Sequence, residues 1–249
     1  MKNSSLSSAL PVILLLLAMM TIQSGASLAK TIFPVTGPIF TTILRLFFAS
    51  LILVFFSKIW KIKVSQSELK SFFYYGASLG LMNVFFYMAI NRIPLGIAVG
   101  IEFCGPLVIT VLFSRKKIDF FWALYIYFGQ KAGKSSNSLV ASTYGMLFAF
   151  MIVLPFLFLV NFNFTLTGSL LMLGLLVGLL SSAIPYSLEM YALKRMPTKQ
   201  FGVLLSLEPV FASLSGLIFL QEKLSVTQLI AMLLIVFASM GVTITGKKS

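Results

Sequence analysis

The chain has 249 residues, of which 59% are apolar and 10% are charged, and its formal net charge is +13. Soluble domains average about 45–50% apolar and about 25% charged residues, so this composition excludes a soluble globule and predicts a polytopic membrane protein. The chain has one cysteine and no histidine. These counts exclude a disulfide framework, a cysteine or imidazole metal site and Ser-His-Asp catalysis, so we expect no catalytic residue, no metal and no cofactor.

Eight apolar segments are long enough to cross a membrane as helices, since a crossing needs about 20 residues. Their runs are continuous and rich in leucine, which favours an all-α bundle over a β-barrel. The predicted spans, numbered one to eight, are residues 10–29, 37–57, 72–90, 94–113, 139–162, 167–192, 200–220 and 226–245. A ninth segment, FFWALYIYFG at 120–129, is too short to span comfortably and is expected to be buried or interfacial. Span one begins like a signal peptide, but a second apolar run follows at once, so we expect it to be retained.

Loop charges predict the orientation of these spans. If the short segment does not cross, 15 loop Lys and Arg residues lie on one side, and only Lys30, Arg92 and Lys223 lie on the other. If it does cross, the split is nine and nine. The positive-inside rule strongly favours the first arrangement, which has eight crossings and both termini in the cytoplasm. The basic residues lie in short clusters between apolar runs, so we expect no nucleic-acid partner.

The two halves of the chain repeat weakly with a shift of 103 residues. AINRIP at 89–94 aligns with ALKRMP at 192–197, while spans two and three fall on residues 140–160 and 175–193. With eight crossings the paired spans run in opposite directions, which predicts an inverted-repeat helical bundle of the kind found in many secondary transporters. The first half lacks a fifth helix that would match span eight, and the second half lacks most of a first helix that would match span one. One contiguous block is therefore missing from a five-plus-five plan.

Charged and polar side chains inside the spans are the candidate functional residues, because a charge at the bilayer centre costs about 2.5 kcal/mol or more. Substrate binding or proton relay is one interpretation, and an ion pair between Arg45 and a glutamate that fixes helix packing is the other. Tyr186 follows Pro185 and shares a helix face with Glu189, which predicts a kinked helix that lines a pocket. The candidate residues are Gln23, Arg45, Asn83, Glu102, Tyr186, Glu189 and Glu208. Glycine pairs four residues apart predict close helix contacts at Gly76 and Gly80, Gly96 and Gly100, and Gly174 and Gly178.

Five stretches carry a resemblance to a known family: IQSGASLAK (22–30), LRL (44–46), PLGIAVGIEFCGPL (94–107), PYSLEMYALKRMPT (185–198) and FGVLLSLEP (201–209). They resemble the bacterial threonine/homoserine exporters, a subgroup of the EamA-type branch of the drug/metabolite transporter superfamily. The resemblance implies ten helices in two inverted halves, a central cavity, and export of small amino acids across the inner membrane. It places every candidate residue except Arg45 in recurring polar motifs of the family. The implied partners are an amino acid, protons and the lipid bilayer.

The chain departs from this family plan near residue 120. DF at 119–120 resembles the start of the fifth helix and FWALYIYFGQKAG at 121–133 the end of the sixth. Roughly forty residues between these two segments are missing. At a rise of about 1.5 Å per residue, that length corresponds to about two membrane helices and a loop. We expect a first repeat of four helices at 1–119, a fused remnant at 120–134, and a second repeat of four spans at 135–249. A homodimer is one way to cover the face that the missing helices leave, and the alternatives in function are export of another metabolite or drug, or a truncated remnant that does not transport.

Overall fold

The computed structural model describes residues 3–102, 138–160, 164–193, 195–196 and 198–234, and this part of the chain is all helical. The helices in chain order are α1 (Asn3–Ser57), α2 (Gln66–Ile90), α3 (95–102), α4 (Ser138–Val153), α5 (Gly168–Gly178), α6 (Ile184–Leu193), α7 (Thr198–Leu205), α8 (Glu208–Leu220) and α9 (226–234). Two 3-10 segments, Ile59–Lys61 and Leu154–Leu159, follow α1 and α4, and the π-helical segment Leu179–Ala183 joins α5 to α6.

Five stretches of the described residues are long and apolar enough to cross a membrane. They are Leu10–Ser57, Gln66–Ile90, Leu139–Leu159, Gly168–Glu189 and Val203–Leu220. These stretches contain predicted spans one, two and three and cover most of spans five, six and seven. Spans four and eight are described only at 95–102 and 226–234, and the short segment at 120–129 lies outside the described residues. The predicted all-helical class is thus confirmed for the described residues, which include five helices able to cross a membrane, while eight crossings and the inverted repeat stay predictions.

Spans one and two are predicted as separate helices, and in the structure a single non-helical residue, Gly37, separates them. Gly25 before it and Arg45 after it both lie beside Ser181, so the chain turns back at Gly37. This glycine has φ 75° and ψ 162°, a backbone region that is essentially restricted to glycine. Pro38 follows it and is suited to a first helical turn, because proline lacks the N–H that would be unpaired there. We call residues 3–36 the first arm of α1 and residues 38–57 its second arm.

Helix α2 begins at Gln66, earlier than the predicted residue 72. Its start is fixed by a capping box, in which the Ser65 hydroxyl accepts from the Glu68 N–H at 3.2 Å and the Ser65 N–H donates to the Glu68 carboxylate at 3.0 Å. The added turn is polar and exposed, so the apolar run alone could not indicate it.

Glycine pairs bring two sets of helices into close contact. On α2, a Cβ added at Gly76 would meet Gly145 and Phe148 of α4, and one added at Gly80 would lie 2.9 Å from the Ala149 carbonyl oxygen. On α5, Gly174 and Gly178 pack against the second arm of α1 in the same manner. Both predicted contacts are confirmed. For the third predicted pair, Gly96 packs tightly against Ser213 of α8, whereas a Cβ at Gly100 would meet none of the described residues within 4 Å.

These contacts also give the relative directions of the helices. Residue numbers rise together from Gly76 to Gly80 on α2 and from Gly145 to Val153 on α4, so these two helices are parallel. The first arm of α1 is likewise parallel to α8, because hydrogen bonds join Gln23 to Glu208, Ser27 to Ser215 and Lys30 to Glu222 in order. Ile90, the last residue of α2, packs in one cluster with Ala29 and Phe33 of the first arm. The Lys30 end of the bundle therefore holds the last residues of the first arm, of α2 and of α8.

The opposite end, which we call the Lys58 end, holds two apolar clusters. Leu15 and Met19 of the first arm pack with Ala192 of α6 and with the turn that leads into α7. Ile62 and Val64, after α1, pack with the first residues of α4. The connections at this end carry the predicted basic clusters at 58–70 and 194–199.

We expect Gly80→Ala to lower the Tm of the detergent-solubilised protein. The new Cβ would press on the backbone of Ala149, and forced overpacking costs about 1–3 kcal/mol, which exceeds the gain in helix propensity of about 1 kcal/mol. Gly168→Ala is the matched control, since a Cβ at the start of α5 lies within 4 Å of no residue in the described part of the chain. Equal Tm values for the two variants would contradict close α2–α4 packing.

Candidate functional site

Irregular backbone inside span six is the first element of the site. Pro185 has no N–H, so the carbonyl of Ser181 one turn earlier lacks its helical donor. Nη2 of Arg45 donates to that carbonyl at 3.1 Å, and Nε of Arg45 donates to the Ser182 hydroxyl at 3.3 Å. The predicted irregularity at Pro185 is thus present, as a π-helical segment, and its freed carbonyl is capped by the arginine of the second arm.

Span seven is also broken within its apolar length. Helix α7 ends at Leu205 and α8 begins at Glu208, directly before Pro209. The carboxylate of Glu208 therefore lies at a helix N-terminus, where the backbone N–H groups favour negative charge. Nε2 of Gln23 donates to Oε1 of Glu208 at 3.1 Å, which ties the first arm of α1 to this break.

Three glutamates on three spans converge between these two irregular segments. The Glu208 carboxylate interacts electrostatically with those of Glu189 and Glu102, and Glu102 in turn interacts with Arg45. Tyr186 interacts with Arg45 and with both Glu189 and Glu102. Each glutamate is only half-buried by surface area, although protein atoms surround it on most sides. We call these five residues the polar cluster.

Arg45 is held by neutral partners within this cluster. Besides its two serine contacts, its guanidinium lies over the Tyr87 ring, 5.3 Å from the centroid. Within the described ranges, the one ion pair with atoms closer than 4 Å joins Lys30 to Glu222. The direct Arg45–glutamate pair that the packing interpretation requires is therefore not formed at contact distance. The charge of the arginine still acts on Glu102 across a longer separation.

Two further candidates, Gln23 and Asn83, differ in their relation to the cluster. Gln23 is 2% exposed and contacts the cluster through Glu208, while its Oε1 is buried and has no hydrogen-bond partner among the described residues. Asn83 is 3% exposed and donates at 2.8 Å to the Leu79 carbonyl of its own helix. Asn83 thus lies one helical turn before Tyr87, and its hydrogen bond is to the backbone of its own helix and not to the cluster.

Two serines that the sequence analysis missed join the first arm to α8. The hydroxyls of Ser27 and Ser215 are 2.8 Å apart, and Ser215 also donates to the Gln23 carbonyl at 3.0 Å. Ser27 lies one helical turn after Gln23 and therefore on the same helix face, and this spacing could have predicted it as a further polar residue of the site. Gly25 contributes on the adjoining face, where a Cβ would collide with Ser181.

The fold and site together define a class of protein. Helices long enough to cross a membrane surround a set of carboxylates and one guanidinium, and two of those helices are broken at prolines beside the charges. Charged groups held inside a membrane bundle at discontinuous helices are typical of secondary transporters.

Comparison with known proteins identifies the family. Residues 119–244 match the EamA-like transporter family. The threonine/homoserine exporter RhtA of Escherichia coli (strain K12) is 40% identical over 275 residues, which cover 96% of this chain and 93% of the relative. The threonine/homoserine exporter RhtA of Salmonella typhimurium (strain LT2) gives the same identity and coverage. The chain belongs to the EamA-like transporter family, whose members are transporters and not enzymes. No solved structure was found to match it.

The alignment also measures what the chain lacks. It runs over 275 positions, yet 96% of the 249-residue chain is about 239 residues, so about 36 positions have no residue of this chain. That number agrees in size with the predicted missing block of about two helices. Its location near residue 120 falls outside the described residues and stays a prediction.

Proposed function

We propose that the chain exports small amino acids of the threonine and homoserine kind across the bacterial inner membrane, in exchange for protons. The relatives that support this are named threonine/homoserine exporters at 40% identity. The observation that carries the mechanism is the polar cluster, in which Glu208 interacts with both Glu102 and Glu189. Tyr186 in turn interacts with Glu102, Glu189 and Arg45.

The proposed cluster chemistry follows from the charges of the substrate. A zwitterionic amino acid carries an ammonium group, which the carboxylates attract, and a carboxylate, which Arg45 and the N-terminus of α8 attract. A glutamate that takes a proton loses the charge that attracts the ammonium group. Proton and substrate therefore exclude each other at one site, and the inward flow of protons drives export. Gln23 and Tyr186 orient the bound molecule by hydrogen bonds, and Asn83 lies one helical turn before Tyr87, which packs under the arginine.

The proposed topology has eight crossings, two inverted repeats and both termini in the cytoplasm. Parallel packing of α2 and α4 supports it, because an odd number of crossings must separate two parallel helices. Span four supplies one such crossing, and a crossing at 120–129 would make α2 and α4 antiparallel. Contact between Lys30 and Glu222 agrees, since eight crossings put these residues on the same side, whereas nine would separate them. The Lys30 end is then periplasmic.

Reporter fusions test this topology. We expect a reporter that is active only in the cytoplasm to be active after Lys134 and after Ser249, and a periplasmic reporter to be silent at both. A fusion after Lys223, which belongs to the opposite side, is the internal control. A periplasmic signal at Ser249 would contradict the eight-crossing arrangement.

A second candidate function follows from the missing block of about 36 positions. The four-helix first repeat at 1–119 and the four-span second repeat at 135–249 would then meet around the remnant at 120–134 without the helices that normally join them. Such a chain would either transport as a homodimer, in which a second copy covers the open face, or be a remnant that inserts but does not transport. Export of another metabolite by the same fold is the remaining alternative.

One experiment separates these functions. We expect cells that lack their own exporters and express the chain to resist growth-inhibitory homoserine or threonine, and to release the labelled amino acid faster than cells with the empty vector. Vesicles should show release that depends on the proton gradient. A panel of other amino acids and drugs tests the alternative substrates. Normal membrane accumulation without efflux of any compound would identify a remnant.

A further inference from the structure

Three helix ends meet at the Lys30 end through one set of polar contacts that we call the end junction. Nζ of Lys30, at the end of span one, donates to Oε1 of Glu222 at 2.6 Å and to the Ile93 carbonyl at 3.0 Å. Oε2 of the same glutamate accepts from the Leu95 N–H at 2.9 Å. Glu222 therefore bridges the first arm of α1 to the first residue of α3, directly after the end of α8.

The end junction is partly buried and closely packed. The side chains of Lys30 and Glu222 are 22% and 13% exposed. Gly216 of α8 lies directly beneath the Glu222 carboxylate, because a Cβ there would collide with Oε2. Such shielding makes a charge-assisted hydrogen bond stronger than on an open surface, where ion pairs contribute little.

The end junction also lies directly above the polar cluster. From Lys30 the same two helices carry the Ser27–Ser215 contact and then the Gln23–Glu208 contact, so three polar pairs follow one another along the first arm and α8. At the Lys58 end the described contacts between the first arm and α6 are apolar. When two helices separate, the groups of a polar pair can form hydrogen bonds with water instead of with each other. Separating packed apolar side chains would expose apolar surface to water, which costs free energy.

We propose that Lys30 and Glu222 form the gate that closes the transport path at the Lys30 end, with the backbone of residues 93–95 as its third side. This inference rests on the proposed transport function. Release of the substrate at this end requires the first arm, α3 and α8 to move apart, which breaks the Lys30–Glu222 pair and the Leu95 contact together. The structure thus represents the state that is closed at the Lys30 end.

Cysteine accessibility tests the gate without relying on transport. In a Cys104→Ser background, a reporter cysteine replaces Ser215, which is 6% exposed beneath the junction. We expect Lys30→Met to increase its rate of labelling by a membrane-impermeant thiol reagent, added to intact cells, by about tenfold, because a charged hydrogen-bond partner is lost. Gly216→Ala, which displaces the Glu222 carboxylate and removes no charge, should increase labelling in the same direction.

Two controls complete the test. Lys30→Arg keeps the charge and the donors, so labelling should stay slow. Lys223→Met removes the same charge from the exposed residue next to Glu222 and should also leave labelling unchanged. Slow labelling in both Lys30→Met and Gly216→Ala would overturn the gate, as would failure of both variants to accumulate in the membrane, since the pair would then be structural. Efflux by the parent chain is measured separately, and its absence would refute the proposed transport function. Fast labelling of the two variants would then show only that the Lys30–Glu222 pair closes this end of the bundle.

Discussion

Replacing Glu208 by glutamine should reduce proton-driven efflux by about tenfold to a hundredfold, because a charged hydrogen-bond partner contributes about 1.5–3 kcal/mol and every 1.4 kcal/mol is a factor of ten. Glu208 is expected to have the largest effect, since it lies at the N-terminus of α8, accepts from Gln23 and interacts with two other carboxylates. Glutamine keeps the shape and the Gln23 contact but cannot exchange a proton. Glu102→Gln should have the same direction of effect. Efflux of labelled homoserine from vesicles, with and without a proton gradient, measures both.

Glu68→Gln provides the matched control for these variants. Glu68 lies in the exposed capping box of α2, which glutamine can complete as well as glutamate does. All three variants should accumulate in the membrane like the parent chain. Loss of Glu208→Gln and Glu102→Gln from the membrane would assign their carboxylates to packing, and unchanged efflux in both would contradict proton coupling through the polar cluster.

Replacing Arg45 by methionine should destabilise the bundle as well as abolish efflux. The substitution leaves the Ser181 carbonyl buried without its donor, which costs about 1–3 kcal/mol, and it removes the only positive charge of the polar cluster. Pro185→Ala returns an N–H to the position from which Ser181 would accept in a regular helix. We therefore expect Arg45→Met to lower the Tm less in a Pro185→Ala background than in the parent chain.

The double variant separates the two roles of the arginine. Stability should be partly restored in Arg45→Met/Pro185→Ala, whereas efflux should remain lost because no cation has been returned to the glutamates. Additive changes in Tm would mean that Arg45 and Pro185 do not act on the same carbonyl. Recovery of efflux together with stability would contradict a role for the arginine charge in substrate binding.

The sequence predicts the helical spans well because lipid imposes a strong and local requirement. Each crossing needs about 20 apolar residues whatever it packs against, so the runs at 10–57, 139–159 and 203–220 are visible without a structure. Intramembrane charges are equally visible, since they are rare and costly there. The irregular helix at Pro185 follows from the chemistry of a single residue.

The partners of these residues could not be predicted in the same way. Arg45 donates to the Ser181 carbonyl and does not pair directly with any of the described glutamates. This choice of partner depends on how the second arm of α1 packs against span six. Nothing in the sequence distinguishes Ser27 and Ser215 from other small residues, and their hydrogen bond is apparent only from the packing of the first arm against α8. Lys30 and Glu222 lie at span ends, where charged residues are expected to be solvated, so nothing local distinguishes a pair that spans 192 positions.

The break at Gly37 has a consequence for the biogenesis of the protein. Because Gly37 alone joins the two arms, no hydrophilic loop separates predicted spans one and two, and Leu10–Ser57 is a single 48-residue apolar stretch. We expect the two arms to enter the bilayer together as a hairpin, so that Arg45 is not carried across on a solitary helix. Any side chain at position 37 would strain the reversal by about 1–3 kcal/mol and would favour one long helix that leaves the hydrocarbon layer. Correct insertion of the first quarter of the chain therefore depends on a residue that has no side chain at all.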